Sequence, residues 1–505
     1  MRKNKYMRHI AGIRKCLAIG LTAAMCMAML AGCSTIQSTS STSGTEVTSE
    51  VSTETDADKE SPNGSADAEN TSVKTEMTVE EMQAAIYAKN ADKVFVTLAE
   101  GAENSLTVSG DYVQTDDNNV DAVIFAKCDL TLGGTGSLTV KDTTGHGIVS
   151  KDDLVVTGGT YTIYSQDHCL NGKDSVRIAD GTFNLSCDED GIHAGNNDQQ
   201  DGYVYIEGGD INISVGDDAI HAEGLLIITG GDIDVSKSCE GVEGDKILVT
   251  GGDIDVISSD DGFNAAGGSS GSGDNHDGFG GGPGMGGVDM DADNDAYIFI
   301  TGGTININAD GDGIDSNGCI GITGGSVYVL GPSDNGNGAM DYGICAAITG
   351  GEIVAVGGSG MAQGFGDEST QCSALVNFDE WVDAGETITL TDSDGKEVLS
   401  YKVDKKFNSV VISTSDMKQG ETYTLTVGDQ SSTFTLDDIT YSEGSGGMQR
   451  PGGNLDNGGM QRPGGNSDDG NMQRPDGDSD NGQNDSANGS SQNKDNSSSS
   501  DSMSI

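Results

Sequence analysis

Histidines and carboxylates recur along the chain, mostly at 21- or 22-residue intervals, in a short motif. A polar residue is followed by a small residue, an aliphatic residue and a second polar residue, as in Asp190-Gly-Ile-His193 and Asp312-Gly-Ile-Asp315. Alternate residues of a strand point to opposite faces, so the aliphatic residue is predicted inside and its polar flanks outside. Stacked copies of the motif would therefore form two outward lines of ionisable side chains.

Each outward line takes one flank of the motif. The first line contains His146, His168, Asp190, Asp218, Glu240, Asp261 and Asp312. The second line contains Asn171, His193, His221, Glu243, Asn264 and Asp315. Three further carboxylates lie directly beside the first line: Glu189, Asp217 and Asp260.

Carboxylates stacked in this way would repel one another by about 3 kcal/mol per adjacent pair at an effective dielectric constant near 20. Hard cations between coils would relieve this repulsion, and carboxylate and amide oxygens suit Ca²⁺. Protonation of some carboxylates and a solvated face with splayed charges are alternatives, and the histidines would also permit a transition metal. The predicted metal ligands are Glu189, Asp190, His193, Asp217, Asp218, His221, Glu240, Glu243, Asp260, Asp261, Asp312 and Asp315.

Basic residues are scarce in the middle of the chain, where Lys151 and Lys173 occupy equivalent positions and Arg177 is the only arginine between Arg14 and Arg450. A basic residue beside bound Ca²⁺ could remove the proton next to a uronate carboxylate, as in a pectate-lyase-type β-elimination. The alternative is that these side chains pair with neighbouring aspartates.

A line of apolar residues is also predicted to point outward, ahead of the glycine pairs described next. Its aromatic members are candidates for stacking on sugar rings: Tyr203, Tyr205, Tyr297 and Phe299. Outward apolar residues in register can mark a docking surface. The alternative is that another segment of the chain covers them.

A pair of residues ending in glycine recurs in each repeat, and this glycine motif sets the spacing of all the residues described above. Its final glycine stands at Gly159, Gly181, Gly209, Gly231, Gly252, Gly303, Gly325 and Gly351. Aliphatic residues alternate with period two on both sides of it, which predicts strands that bury one face only by stacking on their neighbours. The sequence therefore predicts an all-β protein, a right-handed parallel β-helix with coils of about 22 residues, followed by a small antiparallel β unit.

Five regions are predicted from these patterns. Residues 1–33 read as a lipoprotein signal peptide whose lipobox ends at Cys33, the predicted lipidation site. Residues 34–77 form a Ser/Thr-rich disordered linker, 78–365 the β-helix with a Gly-rich insertion at 267–288, 366–440 a capping β unit, and 441–505 a disordered low-complexity tail. The remaining cysteines lie in apolar contexts and predict small buried hydrophobes rather than a disulfide framework.

The net charge of −55 argues against nucleic acid as a partner. A lipid anchor would place the protein outside the cell, attached to the bacterial membrane. The protein is also expected to be a monomer.

Several long motifs carry a family resemblance, among them Gly147-Ile148-Val149-Ser150-Lys151 and Gly202-Tyr203-Val204-Tyr205-Ile206. Over about residues 91–427 the sequence resembles the clostridial carbohydrate-binding β-helix family, whose fold is similar to that of polysaccharide lyases. The resemblance implies bound Ca²⁺ and affinity for plant cell-wall polysaccharide, of the cellulose or pectic type, without established catalysis. A Ca²⁺-dependent pectate lyase and a structural or adhesive surface protein are the alternative hypotheses.

Overall fold

The computed structural model describes residues 94–108, 110, 112, 119–195, 202–265 and 296–443. The described residues form strands and turns, without a helix. The strands before residue 266 are β1 (Val94–Leu98), β2 (Glu103–Val108), β3 (Ala122–Ala126), β4 (Leu130–Gly134), β5 (Ser137–Asp142), β6 (His146–Ser150), β7 (Asp153–Val156), β8 (Thr160–Tyr164), β9 (Leu170–Gly172), β10 (Ser175–Ile178), β11 (Thr182–Cys187), β12 (Ile192–Ala194), β13 (Tyr203–Ile206), β14 (Asp210–Val215), β15 (Ile220–Ile228), β16 (Asp232–Ser238), β17 (Val242–Val249), β18 (Asp253–Ser258) and β19 (Phe263–Ala265).

The strands after residue 295 complete the stack and form the C-terminal unit. They are β20 (Tyr297–Ile300), β21 (Thr304–Ala309), β22 (Ile314–Ser316), β23 (Cys319–Ile322), β24 (Ser326–Leu330), β25 (Met340–Tyr342), β26 (Cys345–Ile348), β27 (Glu352–Gly357), β28 (Ser373–Val382), β29 (Thr387–Asp392), β30 (Glu397–Lys402), β31 (Phe407–Ser413), β32 (Thr422–Val427), β33 (Gln430–Thr435) and β34 (Thr440–Glu443).

Three parallel ladders run along the stack, so each coil contributes a strand to each of three faces. Face 1 contains β1, β4, β7, β10, β13, β15, β17, β20, β23 and β26. Face 2 contains β3, β6, β9, β12, β15, β17, β19, β22 and β25. Face 3 contains β2, β5, β8, β11, β14, β16, β18, β21, β24 and β27. The long strands β15 and β17 bend from face 2 into face 1. This is a parallel β-helix, and the prediction of an all-β solenoid is confirmed.

The core is the interior of the coils, filled by the aliphatic columns that the sequence predicts. Ile192 and Ile220 on face 2, like Ile178 and Ile206 on face 1, have no exposed surface. Each aliphatic residue stacks on its equivalent in the next coil, as Ile192 does on Ile220. Because adjacent coils bury one another's apolar side, stability comes from the stack rather than from any single coil.

The recurring glycine of each repeat is required by its backbone conformation. Gly252 and Gly303 have φ angles of +103° and +93°, which L side chains rarely adopt. A Cβ atom at Gly303 would also lie 2.9 Å from the carbonyl oxygen of Gly252 in the preceding coil. The turn before each face-3 strand therefore needs glycine for both its backbone angle and the approach of the next coil.

The C-terminal unit continues face 3 and adds a separate sheet. Strand β31 pairs antiparallel with β27, the last parallel strand of face 3, and β28 pairs antiparallel with β31. Strands β30, β29, β32 and β33 form a four-stranded antiparallel sheet. The predicted antiparallel β unit is confirmed, and β31 covers a backbone edge that would otherwise be open.

Four of the described cysteines depart from the prediction of isolated buried hydrophobes: two form a disulfide, and Cys128 and Cys239 are only half-buried. Cys319 and Cys345 are register partners on face 1 and form a disulfide, with a Cα–Cα distance of 4.6 Å. Cys169, Cys187 and Cys372 are buried and free, as predicted. The pair was missed because a long coil, extended by the loop near Gly331, separates the two residues in sequence.

Several predicted regions lie outside the described residues. They are the signal peptide at 1–33 with Cys33, the linker at 34–77, the first residues of the predicted β-helix at 78–93, the Gly-rich insertion at 267–288 and the tail beyond Glu443. Strand β34 extends three residues into the predicted tail. In the part of the chain that is described, no helix has the length and apolar character needed to cross a bilayer.

Candidate functional site

Face 2 carries both outward lines, and tight packing fixes the position of each side chain in them. A Cβ atom added at Gly262 would lie 2.3 Å from Cγ2 of Ile307 and 2.5 Å from the carbonyl oxygen of Gly313. Gly262 therefore has no room for a side chain, and the equivalent positions in other coils also hold small residues, Cys169 and Ala219 among them. The aliphatic residue that follows then points inward and the second polar residue outward.

The second outward line is continuous across the stack, which confirms its predicted alignment. The register partners are Asn171–His193, His193–His221, His221–Glu243, Glu243–Asn264, Asn264–Asp315 and Asp315–Asp341. Asp341 is an additional member that the sequence interpretation missed. The loop at 331–339 lengthens this coil, although the aliphatic Met340 before Asp341 was a usable signal.

The first outward line is a ladder of hydrogen bonds between coils. The backbone N–H of His168 donates to Nδ1 of His146 at 3.1 Å, and that of Asp190 donates to Nδ1 of His168 at 3.2 Å. Asp218 N–H donates in the same way to Oδ1 of Asp190 at 3.1 Å. The pattern returns further along, where Asp312 N–H donates to Oδ1 of Asp261 at 2.6 Å. These side chains complete the backbone bonding of the next coil.

Burial along the first line is deeper than the predicted outward orientation suggested. Asp190 is 3 % exposed and Asp218 is 6 % exposed, so a solvated face with splayed charges does not describe these two carboxyls. Burial raises the pKa of Asp190 to about 7, against opposing contributions from His221 and the Asp218 N–H. The stacking cost predicted from the sequence is therefore combined with a desolvation cost.

The later coils contain the carboxylate end of the two lines, which we define as Glu240, Glu243, Asp261, Asp312, Asp315 and Asp341 together with Asn264. Burial, reinforced by neighbouring carboxylates, raises the pKa of Glu240, Glu243 and Asp315 to about 8. The same causes raise the pKa of Asp312 to about 7 and that of Asp261 to about 6. A positive charge placed here would remove the repulsion.

Asn264 is the neutral member of the carboxylate end and is 8 % exposed. Its Nδ2 donates to Oε2 of Glu240 at 2.8 Å. Its Oδ1 is buried and has no hydrogen-bond partner among the described residues. An unpaired carbonyl oxygen in line with Glu243 and Asp315 is an acceptor that a hard cation would satisfy.

The three carboxylates predicted beside the first line are less enclosed. Glu189 and Asp260 are exposed and Asp217 is half-buried. Oε2 of Glu189 lies 3.5 Å from Nε2 of His168. These residues stand at the turn before face 2, where they can adjust to a charge without being fixed by packing.

The earlier coils contain the histidine end, which we define as His146, His168, His193 and His221. Their rings stack across the coils, with centroids 5.0 Å apart for the first pair and 4.3 Å for His168 and His193. The ring of His221 meets that of His193 edge-on at 5.2 Å. The sequence interpretation placed His146 and His168 in the first line without proposing them as ligands.

The pKa is lowered for three of the four histidines, His146 among them, and raised for His221. Burial lowers the pKa of His168 to about 3 and holds that of His193 well below its ordinary value. Burial also opposes the charged form of His221, but the hydrogen bond that its Nδ1–H donates to Asp218 and the charges of Glu243 and Asp190 raise its pKa to about 10. Nδ1 of His221 lies 3.0 Å from Asp218 Oδ2 and 3.3 Å from Glu243 Oε2.

Of the three basic residues considered for β-elimination, Arg177 has a clear structural role. It is 2 % exposed, forms an ion pair with Asp153 and lies 5.6 Å from the Tyr203 ring. Its Nε also donates to Oγ of Ser175 at 2.9 Å. Arg177 is therefore engaged within the fold, as the alternative of pairing with an aspartate predicted.

Lys151 is exposed, with Nζ 5.4 Å from the Phe125 ring, and Lys173 is half-buried. A group of carboxylates that the sequence interpretation missed stands next to Lys151. Asp129, Asp152 and Asp153 bring oxygens within 4.8 Å of one another. Burial and these neighbours raise the pKa of Asp152 to about 6.

The predicted outward aromatic line is mostly covered. Tyr205 is 2 % exposed and Phe299 6 % exposed, and both belong to an apolar cluster with Val155, Ile227 and Leu248. The expectation that these two rings are open to a sugar is therefore wrong. Tyr203 and Tyr297 keep part of their surface exposed, and sugar stacking on them stays a prediction.

Comparison with known proteins finds similarity over part of this chain. Residues 66–275 match the model of a family described as carbohydrate-binding domain-containing protein. A protein of that description from Acetivibrio thermocellus is 39 % identical over 167 residues, which are 32 % of this chain and 58 % of the relative. The predicted resemblance to a clostridial carbohydrate-binding family is confirmed.

A solved structure is also similar over part of the chain. It is the polysaccharide lyase-like protein from C. thermocellum, in a gadolinium derivative, with 32 % identity and a TM-score of 0.27. The match covers 34 % of this chain and 64 % of that chain. This chain thus spans less than two thirds of the length of either relative.

Proposed function

We propose that this protein binds plant cell-wall-type polysaccharide at the bacterial cell surface without catalysis, and that Ca²⁺ stabilises its acidic face. The observation that carries the proposal is the carboxylate end, where buried acidic side chains stand in register around the unpaired Oδ1 of Asn264. The match of residues 66–275 to a carbohydrate-binding family supports the choice of ligand.

The carboxylate end fits Ca²⁺ because its donors are all oxygens. Glu240, Glu243 and Asp315 would supply carboxylates and Asn264 an amide oxygen, the ligand types that Ca²⁺ prefers. Bound Ca²⁺ would neutralise groups that otherwise retain protons near pH 8. Because Ca²⁺ binds the deprotonated carboxylates, its binding would release the protons that these groups retain.

Ca²⁺ also gives a reason for a polysaccharide to approach so acidic a protein. A chain with a net charge of −55 repels a polyuronate directly, whereas a cation held at its surface can be shared with the uronate carboxylates. A neutral glucan such as cellulose would need no cation and would use the exposed parts of Tyr203 and Tyr297. The two polymer classes therefore differ in their expected dependence on Ca²⁺.

A sedimentation assay tests the proposal. Purified protein is mixed with insoluble cellulose, cross-linked pectate or plain agarose, with Ca²⁺ or with EDTA. We expect retention on pectate that EDTA abolishes, while any retention on cellulose survives EDTA. The variant E240Q/D315N should lose the Ca²⁺-dependent part alone. Absence of retention on both polymers, in both conditions, would refute carbohydrate binding.

The cellular location is the second part of the proposal. Lipidation of Cys33 would anchor a monomer to the outer side of the membrane, with residues 34–77 as the tether. Changing Cys33→Ala should move the protein from the membrane fraction to the culture medium. If the variant stays with the membrane to the same extent, the lipid anchor is disproved.

A Ca²⁺-dependent pectate lyase is the alternative function, and one observation favours it. Exposed Lys151 adjoins the Asp129, Asp152 and Asp153 carboxylates, which combines a base with a possible cation site. Polygalacturonate with Ca²⁺ would then give unsaturated products whose absorbance rises with time, and Lys151→Ala would abolish the signal. A flat trace for the wild-type protein eliminates this alternative.

A further inference from the structure

A second possible metal site lies on face 2, at the histidine end rather than the carboxylate end. His193 on β12 and His221 on β15 are register partners in successive coils. Glu223 follows His221 by two residues on the same strand, so its side chain leaves from the same side. One donor atom from each of these three residues lies within 4.8 Å of the other two.

The hydrogen bonds of the two rings select which nitrogen can face a metal. Nδ1 of His193 lies 3.3 Å from Oδ1 of Asn171, and Nδ1 of His221 lies 3.0 Å from Oδ2 of Asp218. If each Nδ1 carries a hydrogen and donates it, the lone pair remains on Nε2. An oxygen acceptor behind the distal nitrogen is the usual support of a metal-binding histidine.

The backbone at Gly195 passes so close to the site that it leaves no room for a side chain. A Cβ atom at Gly195 would lie 2.6 Å from Cε1 of His193, 3.1 Å from its Nε2 and 3.2 Å from Cγ of Glu223. Glycine therefore allows the chain to pass directly against the proposed ligand nitrogen. A larger residue would displace His193 or Glu223 from this arrangement.

The other two histidines of the stack do not share this arrangement. Nδ1 of His146 and Nδ1 of His168 each accept a backbone N–H from the next coil. A neutral ring that accepts at Nδ1 carries its hydrogen on Nε2, so it has no lone pair left for a metal. His146 and His168 thus serve the fold, and only the second-line histidines are available as ligands.

The charges around the triad favour a cation. Asp190, Asp218 and Glu243 bring carboxylate oxygens to 3.8, 3.0 and 3.3 Å from Nδ1 of His221. Three carboxylates this close to one imidazole would stabilise a divalent ion bound at the other nitrogen of that ring.

We infer that His193, His221 and Glu223 bind a divalent transition-metal ion of the zinc class. Two imidazole nitrogens and one carboxylate suit such ions, whereas Ca²⁺ prefers oxygen ligands. Three protein ligands also leave a coordination position for water or for a polysaccharide oxygen. The two sites share no ligand, although Glu243 of the carboxylate end lies 3.3 Å from Nδ1 of His221. Failure of Ca²⁺ binding would therefore not by itself disprove Zn²⁺ binding.

Metal titration of the full-length mature protein tests the inference. The protein is stripped with chelator, returned to buffer containing excess Ca²⁺, and titrated with Zn²⁺ or with Co²⁺ as a spectroscopic probe. We expect one Zn²⁺ per chain by elemental analysis and visible d–d absorption with Co²⁺. H193Q and H221Q should each weaken Zn²⁺ binding by about 100-fold or more, beyond the loss typical of an outer-shell change.

His146→Gln is the matched control, since it removes a histidine of the same stack from outside the triad, and it should bind Zn²⁺ like the wild type. Should H193Q or H221Q fail to fold, Gly195→Ala replaces it, because the added methyl group crowds His193 without removing a ligand. Equal Zn²⁺ binding by the wild type and the folded triad variants would mean an adventitious ion only. A loss in H146Q as large as in H193Q would also overturn the assignment.

Discussion

The histidine end and the carboxylate end of the outward lines stand on one face and share one backbone geometry. In both, a first-line side chain accepts an N–H from the next coil, as His168 and Asp261 do. They differ in the second line, which presents His193 and His221 at one end and Glu243, Asn264 and Asp315 at the other. Ligand chemistry can therefore vary along a solenoid while its architecture stays constant.

The protonation of the two ends also differs, which gives each end its own test. At the carboxylate end, burial and mutual repulsion raise the pKa of Glu240, Glu243, Asp312 and Asp315, so protons or cations stabilise this end. At the histidine end, His193 is held neutral and His221 is held charged. The carboxylate end therefore offers oxygen ligands, whereas the histidine end combines imidazole nitrogens with neighbouring carboxylate oxygens.

The largest expected effect is that of pH on the chelator-treated protein. Glu240, Glu243 and Asp315 have folded pKa values near 8, above the values near 4 of unfolded chains, so the folded state binds more protons between these limits. Stability should therefore fall as pH rises from 5 to 9, by about 4 kcal/mol if only one such carboxyl acts independently. Denaturant unfolding at several pH values measures this.

Saturating Ca²⁺ is the control for the pH experiment, because bound cations replace the protons and should flatten the profile. A stripped protein whose stability does not change over this range would mean that the carboxylate end is well solvated.

Next in size is the loss of Ca²⁺ stabilisation in E240Q/D315N. A ligand at one hundred times its dissociation constant stabilises the folded state by about 2.7 kcal/mol, and this variant should lose most of that gain. Without metal at pH 9 it should be more stable than the wild type, because two buried negative charges are gone. Thermal melts with and without Ca²⁺ give both numbers.

H193Q is the comparison for this double variant and should keep the full Ca²⁺ shift. If H193Q and E240Q/D315N lose the Ca²⁺ shift equally, the two ends do not act as separate sites.

Substituting each of the two asparagines of the second line should have a smaller effect, and each substitution should weaken the binding of a different ion. Asn171→Ala removes the acceptor behind His193 and should weaken Zn²⁺ binding by about 10- to 100-fold. Asn264→Ala removes an oxygen from the carboxylate end and should weaken Ca²⁺ binding while leaving Zn²⁺ unchanged. Isothermal titration of each ion into each variant measures the four affinities. Crossed effects of equal size would contradict separate sites.

The smallest effect is expected at His146, whose role is confined to the fold. His146→Leu removes the acceptor for the His168 N–H and should cost about 1 kcal/mol of stability. Neither the Zn²⁺ nor the Ca²⁺ affinity should change. A fall in Zn²⁺ affinity comparable to that of H193Q would show that the histidine stack acts as one unit.

The repeat made most of the face-2 geometry predictable from sequence. Because a parallel stack keeps one register, spacing alone aligned His193 with His221 and Glu243 with Asn264. Asp341 was missed where a loop lengthens its coil, and Glu223 because it lies beyond the motif. The register rule works where coils are equal in length and weakens where they are not.

Burial and pairing across the stack were less predictable, since they depend on what covers a face. Tyr205 and Phe299 are enclosed in an apolar cluster, and periodicity does not report how much of an outward side chain stays exposed. Arg177 was considered for its charge, whereas its ion pair with Asp153 comes from the fit of two neighbouring coils. The directions of the pKa shifts follow from that enclosure and could not be read from spacing.

The first-line hydrogen bonds all run in the same direction along the stack. In each observed step the acceptor side chain belongs to the earlier coil and the N–H to the later one, from His146 to His168 and from Asp312 to Gly338. A coil that forms while its N-terminal neighbour is in place finds its acceptor ready. A coil that forms on its C-terminal neighbour finds the backbone donor in place instead, so the two ends of the stack present opposite hydrogen-bonding groups to an added coil.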